Sequence, residues 1–142
     1  MKVIDVNILA YLVSQPAQHH KQIFAWWNAA LLGNEALALS WTVINGFLRV
    51  ATNPKALQFP LSAEDAIERV DAWLSHPSIC LISELDNHWQ VFRGLVQEHD
   101  ITGKQVTDAH IAALAISRGA LLVSCDRDFS RFRQLRWENP AD

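Results

Sequence analysis

The chain has 142 residues, of which 50% are hydrophobic and 19% are charged, and its formal net charge is −3 at pH 7. This length predicts a single domain, residues 1–142, and the apolar content is ample for a core, which argues against a disordered chain. The negative charge argues against broad adhesion to nucleic acid, but it does not exclude a nuclease whose acidic residues are neutralised locally by a metal.

Strand-like and helix-like patterns alternate along the first half of the chain. Short apolar runs indicate strands, and longer stretches with apolar residues three or four apart indicate helices. In chain order we predict a strand at 2–4, a helix that starts after Asn7 and runs to 13, a helix at 17–32, a strand at 36–39 and a helix at 41–51. Ser40 is an N-cap signal, and Gly33 and Asn53-Pro54 are stop signals.

The second half continues the alternation. In chain order we predict a helix from 63 to 73 or 74, a strand at 78–83, a helix from 86 or 87 to about 99, a helix at 109–117, a strand at 120–124 and a fifth strand at 135–137. Thr107 or Asp108 is expected to cap the helix at 109–117, and Gly119 to end it. This pattern predicts an α/β fold with a central parallel sheet of four or five strands, covered by helices on both faces.

Acidic residues lie where apolar runs end. Asp5 follows the first strand, Asp126 and Asp128 follow the fourth, and Asp108 opens the helix that leads into the fourth. If the first and fourth strands are neighbours, their ends lie roughly 5 Å apart at the edge where parallel sheets build their sites. Converging carboxylates raise one another's pKa, and a cation removes that penalty. Oxygen donors without a Cys/His cluster favour Mg²⁺ or Mn²⁺ over zinc.

Each acid also has a purely structural interpretation. Asp5 fits a turn residue or a cap at the strand exit, Asp108 fits an N-cap, and either Asp126 or Asp128 fits the cap of a short turn. However, the helix after Asp108 is apolar nearly all round, and an acid at its buried end needs a partner. Taken together, the four acids favour a shared metal site over four separate structural roles.

Neighbouring polar residues are open to two interpretations. Asn7 either tunes Asp5 through a hydrogen bond or caps a helix, and Thr107 either donates to the acids or caps a helix. His110 is expected in the core or beside the ligands rather than among them, and the remaining histidines form no spaced cluster.

The two cysteines and the N-terminal segment bear on compartment. Cys80 and Cys125 are too few for a disulfide framework and lie in apolar runs, so we expect reduced thiols. There is no basic and apolar leader after Met1 and no apolar run near 20 residues, so we expect a cytoplasmic protein without a membrane span.

Four short motifs lie in series along the chain. They are Val3-Ile4-Asp5-Val6-Asn7, then Ile44-Asn45-Gly46-Phe47-Leu48-Arg49-Val50 with Asn53-Pro54, then Thr107-Asp108-Ala109-His110-Ile111-Ala112-Ala113-Leu114-Ala115, and finally Ser124-Cys125-Asp126-Arg127-Asp128-Phe129. In this order and spacing the chain resembles the PIN domain, specifically the VapC-type toxins of bacterial toxin–antitoxin pairs. The resemblance implies a three-layer α/β/α sandwich, often with strand order 3-2-1-4-5, and Mg²⁺- or Mn²⁺-dependent endoribonuclease activity of a type II toxin.

The resemblance also implies roles and partners. Asp5, Asp108 and Asp126 match the metal-site carboxylates of the family, and Asp128 matches a supporting one. An RNA substrate, a cognate antitoxin and a homodimer are implied. An acidic site needs nearby cations to retain RNA, and Arg49, Lys104 and Arg127 are candidates for this role. The alternative interpretation is that these three are ordinary solvated charges on the surface. The residues assigned to supporting the acids or contacting RNA are Asn7, Asn45, Arg49, Lys104, Thr107 and Arg127.

One departure from the family keeps other functions open. The family usually carries a glutamate early in the helix after the second strand, where this chain has Gly46 with Asn45 beside it. The alternative is therefore a catalytically weak or inactive PIN-like module that binds RNA or protein. A phosphatase or phosphoreceiver domain also places an Asp after its first strand, but Cys125-Asp126 stands here in place of the lysine that such a domain needs after a later strand.

Overall fold

The strands form one parallel sheet. The computed structural model describes residues 1–142. The strands are β1 Lys2–Ile4, β2 Leu37–Ser40, β3 Ile79–Ile82, β4 Leu121–Val123 and β5 Arg136–Glu138, and their order across the sheet is β3-β2-β1-β4-β5. The last residues of β1 and β4, Ile4 and Val123, are register partners. The predicted parallel sheet is therefore confirmed, with five strands, and β1 and β4 are neighbours.

Six helices cover the two faces of the sheet. They are α1 Val6–Val13, α2 His20–Leu32, α3 Trp41–Ala51, α4 Ala63–Leu74, α5 His88–Glu98 and α6 Gln105–Arg118. The first four pack among themselves, and α5 packs on α6. Because parallel crossovers are right-handed, helices on the way from β1 to β3 lie on one face and those on the return to β4 lie on the other. The result is the α/β/α sandwich that the sequence predicted.

The chain reverses direction across the sheet at β1. It leaves β1 toward β2 and β3 and later returns to the opposite side of β1 as β4. A cleft forms beyond the carboxyl ends of such strands, because the following segments diverge to opposite faces. A core cluster of 30 buried residues, including Ile4, Phe47 and Leu122, lies beneath this edge and holds it in place. The topology thus selects the ends of β1 and β4 as the place for a site.

Most predicted element boundaries agree with the structure, and one disagreement matters. Helix α6 begins at Gln105, so the prediction that Thr107 or Asp108 caps it is wrong. A turn ahead of it, in which Gly103 has φ +60° and the Thr102 carbonyl accepts from the Gln105 amide, starts the helix early. Asp108 consequently lies within the first turn, and its side chain is not used for capping.

The structure also brings together residues that sequence spacing did not connect. His110 Nδ1 lies 3.2 Å from His88 Nε2, and His110 Nε2 lies 3.1 Å from Glu84 Oε1. This contact joins α5 to α6, and the sequence analysis gave no sign of it, because it considered His110 apart from the other histidines. Burial and the nearby His110 lower the pKa of His88.

The remaining expectations about the chain concern thiols and membranes. Cys80 and Cys125 are both free thiols. None of the six helices has the length and apolar content that crossing a bilayer requires.

Candidate active site

Asp5 lies at the carboxyl end of β1 and serves as the N-cap of α1. Its Oδ1 accepts from the Val6 amide at 2.7 Å, and its own amide donates to the Val123 carbonyl at 3.0 Å, which ties the end of β1 to β4. Asp5 is only 6% exposed. Burial is the main cause that raises its pKa, while hydrogen bonds from Ser124 and Val6 oppose the rise. The capping interpretation is therefore confirmed, but capping occupies only one of the two carboxylate oxygens.

Ser124 connects the acids of the two strands, and the sequence analysis gave it no role. Its hydroxyl donates to Asp5 Oδ2 at 2.7 Å and accepts from Asn7 Nδ2 at 3.1 Å and from the Asp126 amide at 3.0 Å. A hydroxyl has one proton and two lone pairs, so its hydrogen-bonding capacity is full. Ser124 is fully buried, and it therefore fixes the position of Asp5 relative to Asp126.

Asn7 completes this network from α1. Its Nδ2 also donates to Asp5 Oδ2 at 3.2 Å, and its Oδ1 accepts from the Cys125 amide at 3.1 Å. Asn7 thus bridges β1 and the segment after β4. The interpretation in which Asn7 tunes Asp5 is favoured over the one in which it caps a helix, because Asp5 is the N-cap of α1.

Asp126 and Asp128 follow β4 and have different environments. Asp126 caps the 3₁₀ turn Arg127–Arg131, since its Oδ1 accepts from the Asp128 amide at 2.9 Å. The Asp128 side chain is exposed, and its charge contributes to raising the pKa of Asp108. Asp126 therefore combines a capping role with a place beside Asp5, whereas Asp128 lies further out.

Asp108 is the one partly buried acid of the site whose side chain has no partner. Its side chain is half-buried and takes part in no hydrogen bond or ion pair within the chain. Burial and then the charges of Asp5 and Asp126 raise its pKa from 3.8 to about 6, against which only Arg131 acts. A carboxylate in this environment is stabilised by a cation, which no side chain of the protein supplies at contact distance.

A single cavity of about 940 Å³ lies over this edge of the sheet. The predicted site residues that line it are Asp5, Asn7, Arg49, Lys104, Thr107, Asp108 and Asp126. Arg49 and Lys104 are exposed and form no salt bridge. The cavity therefore combines three carboxylates with two unpaired cations.

Three predicted residues lie outside this cavity. Asp128 is exposed and does not line the cavity, and Asn45 is exposed on α3. Arg127 pairs with Asp142 at the C-terminus. The sequence analysis did not consider Arg131. Its Nε and Nη2 atoms are buried without hydrogen-bond partners, and its guanidinium carbon lies 4.9 Å from the centre of the Phe132 ring.

The position expected to carry a glutamate is closed by packing. A Cβ added at Gly46 would lie 2.7 Å from Val6 Cγ2, which is well inside van der Waals contact. Helices α1 and α3 therefore approach closely at this residue. With glycine at position 46, three carboxylates line the cavity, and Val6 occupies the space into which a side chain at position 46 would extend.

The donor set fits a hard divalent cation. No group of three or more His, Cys, Asp or Glu side chains is placed so that it could hold a metal ion by itself. Even so, both oxygens of Asp108 and one oxygen of Asp126 accept no hydrogen bond within the chain. Ions such as Mg²⁺ need only one or two carboxylates, because they keep several waters and take further ligands from substrate phosphate.

Removal of the Ser124 hydroxyl is expected to damage the network. Ser124→Ala leaves the part-buried Asp126 backbone amide and the Asn7 side-chain amide short of an acceptor. We therefore expect a loss of about 2–3 kcal/mol in the free energy of unfolding, measured by urea denaturation. The matched control is Ser117→Ala, which removes the hydrogen bond from the Ser117 hydroxyl to the Ala113 carbonyl within α6. This change should lower the free energy of unfolding by less than about 1 kcal/mol. Equal losses in the two variants would refute the role given to Ser124.

Comparisons with known proteins identify the family of the chain. The PIN domain family matches residues 2–135. Ribonuclease VapC43 of Mycobacterium tuberculosis (strain ATCC 25618 / H37Rv) is 37% identical over 142 residues, covering 100% of this chain and 97% of that protein. Ribonuclease VapC37 of the same strain is 36% identical over 140 residues, covering 99% of this chain and 97% of that protein.

Solved structures share the fold. One is a chain of the VapBC2 complex from Rickettsia felis, which was solved bound to a DNA fragment from its promoter. The two chains superpose with a TM-score of 0.71 at 22% identity, and the match covers 97% of each. VapC20 of Mycobacterium tuberculosis, described as a sarcin-ricin loop cleaving toxin, has a TM-score of 0.67 at 18% identity, covering 96% of this chain and 99% of that one. The family match over residues 2–135 and the relatives above 30% identity show that the chain belongs to the PIN domain family, among the VapC proteins.

Proposed function

We propose that this protein is a Mg²⁺- or Mn²⁺-dependent endoribonuclease that acts as the toxin of a type II toxin–antitoxin pair. The observation that carries the proposal is the unpaired, half-buried Asp108 beside Asp5 and Asp126 in one cavity. Relatives over 30% identical along the whole chain are named ribonucleases, which supports RNA as the substrate.

Asp5, Asp108 and Asp126 would hold the cation. When bound, the ion supplies Lewis acidity at the scissile phosphate and neutralises the charge that develops there. Asp5 and Asp126 are fixed by Ser124, so this part of the donor set needs little rearrangement. Asp108 approaches from the opposite helical layer, on α6. The ligands would thus come from the edge of the sheet and from the helical layer that contains α6.

Arg49 and Lys104 would bind the RNA backbone. Both line the cavity, and neither is paired with a carboxylate. Phosphate contacts position a nucleic acid without reading its sequence. Thr107, which lines the same cavity one residue before Asp108, offers a further hydroxyl donor to the substrate or to a water.

An antitoxin partner and a homodimer belong to the same proposal. The structural neighbours include toxin–antitoxin complexes, such as VapBC-1 from nontypeable Haemophilus influenzae. Large apolar side chains on the surface are suited to partner contacts, among them Phe59, Trp89 and Leu32, which are 67%, 61% and 89% exposed.

The second candidate is a module that binds RNA or protein without cutting. The observation that favours it is Gly46, which leaves the site one carboxylate short of the usual family pattern. This candidate predicts binding of RNA without cleavage products under any metal condition.

Mn²⁺ should control both activity and stability. With millimolar Mn²⁺ we expect the purified protein to cleave single-stranded RNA and its melting temperature to rise by several degrees, because an ion at 100 times its Kd stabilises by about 2.7 kcal/mol. Excess chelator should reverse both effects. Cleavage is followed on denaturing gels and melting by differential scanning fluorimetry. Unchanged melting with no cleavage would rule out the metal site, and RNA binding alone would favour the second candidate.

A further inference from the structure

The cavity extends beyond the acids along α1. Asn7, Ala10, Tyr11 and Ser14 all line it, and their spacing of three and four residues puts them on one face of that helix. Asn7 is bonded to Asp5 at the start of the helix, and Tyr11 lies one turn further, about 6 Å along the axis. The cavity therefore leads from the carboxylates to an aromatic side chain.

The far part of the cavity is largely apolar. Pro16 and Ala17 follow α1, and Val50 comes from the last turn of α3. The loop after α3 adds Ala56, Leu57 and one polar residue, Gln58. Arg49 precedes Val50 and is unpaired, so a cation adjoins this apolar part. A ligand with a charged group and an adjacent flat apolar group matches this arrangement of surfaces.

The Tyr11 ring is held in place, while its hydroxyl is free. The ring of His19 contacts it edge-on, with ring centroids 5.5 Å apart, and the Tyr11 carbonyl lies 2.6 Å from His20 Nδ1. The Tyr11 hydroxyl takes part in no hydrogen bond within the chain, whereas the rest of the residue is anchored. Burial, and then Cys125 and Asp126, raise the pKa of Tyr11, so the hydroxyl remains a neutral donor.

Building on the proposed function, we propose that Tyr11 and the apolar walls around it form a subsite for the nucleobase next to the scissile phosphate. The base stacks on the phenol ring, while Arg49 and Lys104 hold the flanking phosphates. A base can enter such a subsite only when it is unstacked from its neighbours, so the bound nucleotide is single-stranded. Tyr11 is thereby a positioning residue, because it holds the nucleotide and takes no part in the bond cleavage.

The test separates base contacts from phosphate contacts. Fluorescence anisotropy is measured with a labelled mixed-sequence RNA decamer and a matched abasic decamer, in an Asp108→Asn background that prevents cleavage. We expect the RNA to bind on the order of tenfold more tightly than the abasic strand, and Tyr11→Ala to remove that difference without weakening abasic binding. Tyr11→Phe should retain the difference, and Tyr11→Leu, which keeps apolar volume against His19, should lose it. Arg49→Ala should weaken both strands equally.

A kinetic measurement complements the binding assay. In the cleaving protein, Tyr11→Ala is expected to raise KM by about tenfold and to change kcat little, because stacking acts on binding. Equal binding of the RNA and abasic strands to the parent protein, or equal weakening of both by Tyr11→Ala, would overturn the subsite. The binding assay does not depend on cleavage. If the wild-type protein fails to cut RNA, the proposed nuclease function is refuted, but the comparison of RNA with the abasic strand still tests the role of Tyr11.

Discussion

Asp108→Asn is expected to abolish Mn²⁺-dependent RNA cleavage and, at the same time, to stabilise the metal-free protein at neutral pH. Asparagine keeps the shape of the side chain and removes the charge that holds the cation. Mutation of a residue that only hydrogen-bonds to a metal ligand typically lowers metal affinity or activity by about 10–100-fold. Removal of a ligand itself should therefore lower kcat/KM by more than about a hundredfold. Stability should rise because the unpaired carboxylate is unfavourable without metal.

The pH dependence of that stabilisation has a defined sign. The pKa of Asp108 is about 6 in the folded protein, against 3.8 as the ordinary value. Between these pH values the folded state binds more protons than the unfolded state, so the free energy of unfolding falls as pH rises. The destabilisation caused by the ionised Asp108 carboxylate is absent below about pH 4 and complete above about pH 6. Asp108→Asn should therefore match the wild type at the acid end and exceed it above pH 6.

Solvent screening limits the stabilisation that we expect from Asp108→Asn. Because Asp108 is only half-buried, screening reduces the penalty, and we expect about 1 kcal/mol, or roughly 3 °C in melting temperature. Mn²⁺ should reverse the ranking, since it stabilises the wild type and not the variant. Asp71→Asn, on the exposed face of α4, is the matched control and should change neither cleavage nor pH dependence. Wild-type cleavage by Asp108→Asn would remove Asp108 from the site.

Local signals explain why much of the fold was predictable. Strand β1 ends where a β-branched run meets Asp5, and α3 begins where Ser40 caps it by accepting from the Val43 amide at 3.3 Å. The placement of Asp5 and Asp126 at one edge required only that β1 and β4 be neighbours. The parallel pairing of Ile4 with Val123 satisfies that condition.

The parts that escaped prediction depend on contacts distant in sequence. Ser124 bonds to Asp5 across 119 residues, and a serine at the end of a strand gives no sign of such a partner. The pair His88 and His110 forms only when α5 packs on α6. The early start of α6 depends on the left-handed conformation of Gly103, whereas the sequence offered the stronger capping signals of Thr107 and Asp108.

Gly46 shows how a packing contact sets the composition of the site. Val6 is the first residue of α1, and its amide donates to Asp5 Oδ1 at 2.7 Å. Its branched side chain is restricted at χ1 and cannot swing aside freely. A side chain at position 46 would press on Val6 and, through it, displace Asp5. The absence of the usual glutamate is thus tied to the close approach of α1 and α3.

Gly46→Ala is therefore expected to destabilise the protein, although the same change in an open helix is favourable. Alanine in a helix interior normally gains up to about 1 kcal/mol over glycine, whereas overpacking of a core costs about 1–3 kcal/mol. With the added Cβ 2.7 Å from Val6 Cγ2, we expect the cost to prevail by about 1–2 kcal/mol in urea denaturation. Cleavage should fall as well, because Asp5 moves with Val6.

Gly94 provides the matched control, and Val6 provides the rescue. Gly94 also lies inside a helix, α5, but a Cβ there meets no atom within 4 Å, so Gly94→Ala should stabilise by up to about 1 kcal/mol. Val6→Ala removes the methyl groups that clash, so the double variant Val6→Ala/Gly46→Ala should be more stable than the sum of the single effects predicts. If Gly46→Ala stabilises as much as Gly94→Ala, the contact between α1 and α3 does not restrict position 46, and the missing carboxylate needs a different explanation.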